Sequence, residues 1–243
     1  MNSPAHTDHK NPTEHPDISI IIPAYNEALR IRPTLVAIED YFRHKNMSYE
    51  IIVVDDGSRD TTRKVVEDFR TVKLLVNELN KGKGYSVKRG MLVARGKLRL
   101  FMDADHSVKI DNLDRFIAEI NKGADIVIGS IELPGSAIQD DNYRYRRVFG
   151  KWAKTLIRAT TTPGIYDTQS GFKLFTERTA EEIFPQLMTL RWGFDIEIIA
   201  RAQKRGMSIK EIAVEWNNSK ASSVTLGSYF LTLLELVKIK SSL

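Results

Sequence analysis

The chain has 243 residues, 42% hydrophobic and 28% charged, with a formal net charge of +5 and a pI near 9.3. It has no cysteine, which excludes disulfides, zinc–thiolate sites and cysteine nucleophiles. No apolar run reaches the ~20 residues that span a bilayer, and the mild basicity admits phosphorylated small molecules, anionic lipid or nucleic acid as partners.

Residues 1–17 are polar, with three prolines and the scattered His6, His9 and His15. They lack the apolar core of a signal peptide and read as a disordered lead-in. From residue 18 onward, short apolar runs alternate with helical patterns. ISIIIP (18–23) predicts a buried strand closed by Pro23. A helix follows with Pro33 in its first turn and Leu35, Ile38 and Phe42 on its buried face. EIIVV (50–54) is a second strand, and Asp60 or Ser58 can cap the helix TTRKVVEDF. VKLLV (72–76) is a third strand, followed by a helix over 84–94. KLRLFM (97–102), a helix over 111–120 and ADIVIGS (124–130) continue the alternation. Later come a basic helix over 142–158, a short strand GFKLF (171–175) and a helix over 192–206. SIKEIAVEW (208–216) reads as a strand, and a very apolar amphipathic helix spans 224–240. This order predicts an α/β fold with a mostly parallel sheet, its ligand site beyond the C-terminal strand ends. The expected organisation is a lead-in (1–17), one α/β domain (18–223) and a C-terminal amphipathic helix (224–243).

The predicted strand ends are acidic. PAYNE (23–27), DDGS (55–58) and DADHS (103–107) bring Glu27, Asp55, Asp56, Asp103 and Asp105 to one rim. So many carboxylates repel unless some protonate or a cation binds. Oxygen ligands suit Mg2+ or Mn2+, which take one or two carboxylates and complete their shell with substrate phosphates. DDGS alone reads better as a solvated turn; the three acidic ends together favour a site. NKGKG (80–84) before a helix adds backbone amides and lysines toward an anion, without the spacing of a P-loop. A receiver-like phospho-acceptor pocket is the rival reading of VVDDGS, but it accounts for neither DADHS nor the basic second half.

Taken in order, SIIIPAYNE, EIIVVDDGSRDTT, NKGKGYSVKRGM and FMDAD resemble inverting nucleotide-sugar glycosyltransferases of GT-A fold. DTQSGFKLF and RWGFDIEI are similar to the group of dolichyl-phosphate glucosyltransferases and dolichyl-phosphate mannose synthases, the glucosyl branch above all. The resemblance implies that Pro23, Tyr25, Asn26 and Glu27 line the nucleoside pocket. It implies that Asp55 reads base or ribose and that Lys83 approaches the nucleotide. Asp103 and Asp105 become the DxD-type metal element, with Ser107 where relatives can place a third ligand. Ser170 and Gly171 fall near the donor sugar, and Arg144, Arg146 or Arg147 fall on phosphates. Ile131 stands where relatives carry an arginine.

The implied reaction moves a sugar, glucose from UDP-glucose or mannose from GDP-mannose, onto a polyprenyl phosphate. Such a phosphate needs no general base. A saccharide hydroxyl would need one, and Asp195 is the candidate; with a phosphate acceptor, Asp195 instead orients an arginine or the donor. Asp195 and Glu197, two apart on a helix, point in different directions. The basic helix suits nucleic acid or a membrane surface holding lipid phosphate, and the donor site upstream favours the membrane. The expectation is a cytoplasmic, peripherally membrane-associated enzyme; a non-catalytic nucleotide-sugar binding module is the alternative of another class.

Overall fold

The computed structural model describes residues 15–139 and 161–217, together with residues 235, 239 and 241. In chain order the elements are β1 (Ile18–Ala24), α1 (Ile31–Arg43), β2 (Tyr49–Asp55), α2 (Thr62–Glu67), β3 (Val72–Val76), α3 (Lys83–Val93) and β4 (Leu98–Met102). There follow a 3-10 turn (Ile110–Asn112), α4 (Leu113–Asn121), β5 (Ile126–Ser130), β6 (Ala137–Gln139) and β7 (Phe172–Thr176). The chain then forms α5 (Glu177–Ile183), α6 (Phe194–Lys204), β8 (Ile209–Ala213) and β9 (Glu215–Asn217).

Seven strands form one sheet in the order β3-β2-β1-β4-β7-β5-β8. All neighbours pair parallel except β7, which runs antiparallel to both β4 and β5. The sheet is therefore mostly parallel, as the strand–helix alternation predicts. Its central strands β1, β2 and β5 are mostly apolar and buried because both faces are covered. Ile18, Ile20, Ile22, Ile51 and Val53 point into one core with Leu35 and Ile38 of α1 and Phe116 of α4. Ile21, Ile52, Val54 and Phe101 point into the other, with Val87 and Met91 of α3 and Ile198 of α6. This is the two-residue period of a strand serving two layers of helix. Among the described residues, no helix is long and apolar enough to cross a membrane.

Three elements differ from the sequence reading, the first being the short strand β6, where no element was predicted. The run 208–216 is two strands: β8 follows β5, then Val214 turns inward to 1% exposure, and β9 pairs with β6 in a separate two-stranded sheet. The helix α5 was not expected, because its seven residues, ERTAEEI, are too few to show a helical period. It is fixed by its start, where the Thr176 hydroxyl accepts from the Thr179 amide. Residues 1–14 of the expected lead-in, the basic helix over 142–158 and all of the C-terminal helix except residues 235, 239 and 241 lie outside the described residues. Asp17 is tied in place, its carboxylate accepting from the amide and hydroxyl of Ser48.

Candidate active site

Strands β2, β1 and β4 are neighbours and parallel, so their C-terminal ends open on one rim. The acidic segments after them, far apart in sequence, become adjacent there. Strand β7 runs the other way and delivers its N-terminal end, Ser170 and Gly171, to the same rim.

The loops on this rim are sewn together. Asn26 takes a left-handed backbone (φ 57°), its amide donating to Ser58 Oγ and its side-chain oxygen accepting from the Arg59 amide, each at 2.9 Å. An asparagine tolerates that conformation better than most residues. The Glu27 amide donates to Thr62 Oγ1 at 2.8 Å. Asp56 faces the other way and accepts from Asn77 Nδ2, Lys81 N and Gly82 N at 2.8–3.0 Å. It organises the NKGKG loop and is spent on that task.

That loop starts α3 at Lys83, whose Nζ lies 2.7 Å from Asp103 Oδ1. The ammonium also sits over the rings of Phe101 and Trp192, at 5.2 and 5.9 Å. Burial works to lower the Lys83 pKa, but the Asp103, Asp195 and Asp105 carboxylates outweigh it and raise it above the ordinary lysine value. The Asp103 amide donates to Gly171 O at 3.0 Å. A Cβ at residue 171 would stand 2.0 Å from Asp103 Oδ2, so only glycine fits against this carboxylate.

Asp105 Oδ1 accepts from the Ser107 amide at 3.0 Å, across a left-handed His106 (φ 54°). The Ser107 hydroxyl is buried and has no hydrogen-bond partner. Among the described residues no three His, Asp or Glu side chains form a ready-made metal cage. Two carboxylates and one orphan hydroxyl nevertheless fit Mg2+ or Mn2+, which draw the rest of their shell from water or ligand phosphates. Glu27 stands behind them in a bidentate pair with Arg30, at 2.6 and 2.7 Å. Burial pushes its carboxyl up to about 7; Arg30 opposes this, while Asp105 and Asp103 add to it.

Beneath the rim lies a second ion pair. Lys173 of β7 is fully buried, and its Nζ donates to Asp195 Oδ1 and to Ser170 O, each at 2.5 Å. Asp195, in the first turn of α6, is 3% exposed. Burial pushes its pKa above the usual carboxylate range, against the pull of Lys173 and Lys83. Glu197 diverges from it, as helix geometry requires. Its carboxylate accepts from the amides of Met188 and Thr189 and pairs with Arg201 at 2.7 Å.

Tyr25, Asn26, Glu27, Lys83, Asp103, Asp105, Ser107, Ser170 and Gly171 thus meet at one rim. Pro23 and Asp55 sit deeper and are buried. Asp55, expected to face a base or ribose, is 0% exposed and holds Arg63 Nε at 2.7 Å. Arg144, Arg146 and Arg147 lie outside the described residues. The Ile131 amide donates to Asp167 Oδ2 at 3.1 Å. Sequence reasoning missed Lys173 and Trp192. The signal for Lys173 was present: a lysine in the middle of the apolar run GFKLF has to find a buried anion.

The family model described as Glycosyl transferase family 2 matches residues 19–184. A dolichyl-phosphate beta-glucosyltransferase of Dictyostelium discoideum is 37% identical over 237 residues, covering 91% of this chain and 72% of that protein. The human protein of the same name is 31% identical, covering 85% of this chain and 69% of its own length. Among solved structures, mannosyl-3-phosphoglycerate synthase from Rubrobacter xylanophilus aligns with a TM-score of 0.70 at 20% identity, over 93% of this chain and 73% of that one. Glucosyl-3-phosphoglycerate synthase from Mycobacterium tuberculosis, in complex with Mn2+, UDP-glucose and phosphoglyceric acid, aligns with a TM-score of 0.68 at 18% identity, over 93% and 80%. These two share the GT-A fold. A parallel sheet with an acidic rim, a family match over more than half of the chain and relatives above 30% identity along most of it lead to one conclusion: the chain belongs to glycosyl transferase family 2 and is a glycosyltransferase.

Proposed function

We propose that the protein transfers glucose from UDP-glucose to dolichyl phosphate or a similar polyprenyl phosphate, inverting C1, at a site that takes Mg2+ or Mn2+. The names of its relatives support the sugar and the acceptor. Within the site, the observation that carries the acceptor class is the state of Asp195. It is buried and committed to Lys173, with no surface to offer an incoming hydroxyl. A saccharide acceptor would need it as a base; a phosphate monoester would not. With a second pKa of about 6, the phosphate is mostly a dianion at pH 7 and attacks unaided.

In this reading Pro23, Tyr25, Asn26 and Glu27 form the nucleoside side of the pocket, with Asp55 acting through Arg63. Ser170 and Gly171 border the sugar. Asp103 and Asp105 hold the cation, with Ser107 the third candidate donor. When bound, that cation neutralises charge developing on the departing diphosphate. Lys83 fixes the Asp103 carboxylate and supplies a positive charge beside it. Asp195 serves to orient Lys173 and the Ser170–Gly171 turn rather than to take a proton. Arg144, Arg146 and Arg147 are proposed to meet the acceptor phosphate, and the basic and C-terminal segments to rest on the membrane surface that presents it.

The test is incubation of the purified protein with UDP-glucose, Mn2+ and a polyprenyl phosphate, with and without membranes. Lipid-linked glucose is the expected product. No lipid-linked sugar from UDP-glucose or GDP-mannose would end the proposal. Competition between UDP and GDP for the free enzyme decides the base, with UDP expected to bind more tightly.

A further inference from the structure

Helix α6 carries Asp195, yet its N-cap is Gly193, which has no side chain with which to cap it. Its first amides lie at the positive end of the helix dipole and call for an acceptor. The acceptor comes from forty-two residues further along the chain: the Gly193 amide donates to Glu235 Oε2 at 2.7 Å. The fit is close, since a Cβ at residue 193 would stand 2.7 Å from that oxygen and 2.9 Å from the Glu235 Cβ. Four residues on, Ile239 is 1% exposed and packs with Ile196 and Ala200 on the same helix, in a cluster separate from both sheet-face cores.

What Glu235 grips is a junction. Just before Gly193, the carbonyls of Leu190 and Arg191 accept from the amides of Tyr85 and Gly84 in the first turn of α3. Between them and the glycine, Trp192 presents its ring to the Lys83 ammonium. Lys83 in turn holds Asp103. Just after Gly193, the first turn of α6 brings Asp195 onto Lys173. One carboxylate thus holds the junction between the two ion pairs of the site.

We propose that Glu235 is a positioning residue of the transferase site. Its carboxylate locks the Trp192–Gly193 junction and so keeps Lys83 and Asp195 in register with Asp103. The kinetic readout rests on the transferase function proposed above; the spectroscopic one does not.

The experiment uses the full chain with Glu235→Ala, Glu235→Gln and Gly193→Ala. Rates are measured per folded molecule, and Trp192 emission is read in a Trp152→Phe, Trp216→Phe background. We expect E235A to shift Trp192 emission and to lower kcat/KM for UDP-glucose by about ten- to a hundredfold, the scale of a small misplacement at a reacting centre. E235Q keeps an oxygen for the amide and should fall between E235A and the parent. G193A should shift emission and rate in the same direction as E235A, because both break the contact between the Gly193 amide and Glu235. If E235A does not fold, E235Q and G193A decide. Unchanged emission with unchanged rates overturns the proposal, as does a lower melting temperature with full activity per folded molecule. If the parent transfers nothing, it is the transferase function that fails, and Trp192 emission still decides whether Glu235 sets the junction.

Discussion

Asp105 and Asp103 occupy the same short motif but differ in freedom. Asp103 is clamped by Lys83 and by the close approach of Gly171, whereas Asp105 bonds the Ser107 amide within its own turn. Asp105→Ala should therefore lower turnover by about a hundredfold or more, the usual loss when a group stabilising developing charge is removed. The variant should remain folded, its melting temperature falling by about 2–4 °C for the roughly 1 kcal/mol lost with the acceptor of the Ser107 amide. Wild-type rates in that variant would rule out a metal role for Asp105. Glu27 makes a second prediction at this scale. Its folded carboxyl is raised to about 7 from an ordinary 4.5, so folding favours its protonated form. The resulting penalty is absent below about pH 4.5, grows as pH rises from there and is complete above about 7. Glu27→Gln removes that penalty, so its melting temperature relative to the parent should improve from pH 5 to pH 8. Melts of both proteins at the two pH values check this, and an unchanged difference would contradict the raised pKa.

Helix α3 lies so close to the sheet that a Cβ at Gly90 would stand 2.4 Å from Ile21 Cγ2. Gly90→Ala gains about 1 kcal/mol in helix propensity but overpacks a rigid β-branched neighbour at about 1–3 kcal/mol. The overpacking wins, and urea melts should show a net loss of about 1 kcal/mol. Glu197 is the matching test on α6. Its carboxylate is fully buried, pairs Arg201 and anchors the loop at Met188 and Thr189. Glu197→Ala takes the buried carboxylate from Arg201 and from the Met188 and Thr189 amides together, and equilibrium unfolding should record a loss of about 3–5 kcal/mol. The elements themselves were legible to different degrees. Strands β1 to β5 stand out because each is an apolar run closed by polar residues, and the hydrophobic faces of α1 and α4 carry a clear period. Helix α5 is too short and too charged to show one. The break at Val214 depends on β9 leaving β5 for β6, a long-range pairing that no local pattern encodes. The same division holds for the site. The acidic strand ends were visible as motifs, but the commitment of Asp55 to Arg63 and of Asp195 to Lys173 exists only once the strands are placed side by side.

At the scale of the whole molecule, the fold and the cation are separable. Two apolar cores on either face of the sheet hold the chain together, and the candidate metal ligands lie outside both. Treatment with EDTA should therefore end transfer while leaving the melting temperature within about 2 °C, and Mn2+ should restore the rate. Unfolding on chelation would mean that the cation is structural. The reversal of β7 has a wider consequence. Strand β5 ends at the catalytic rim with Ser130, and the chain re-enters the sheet from that same rim at Phe172. The forty-odd residues between them thus leave and return at one rim, so an insertion there lengthens a loop without shifting the register of β4, β5 or β7.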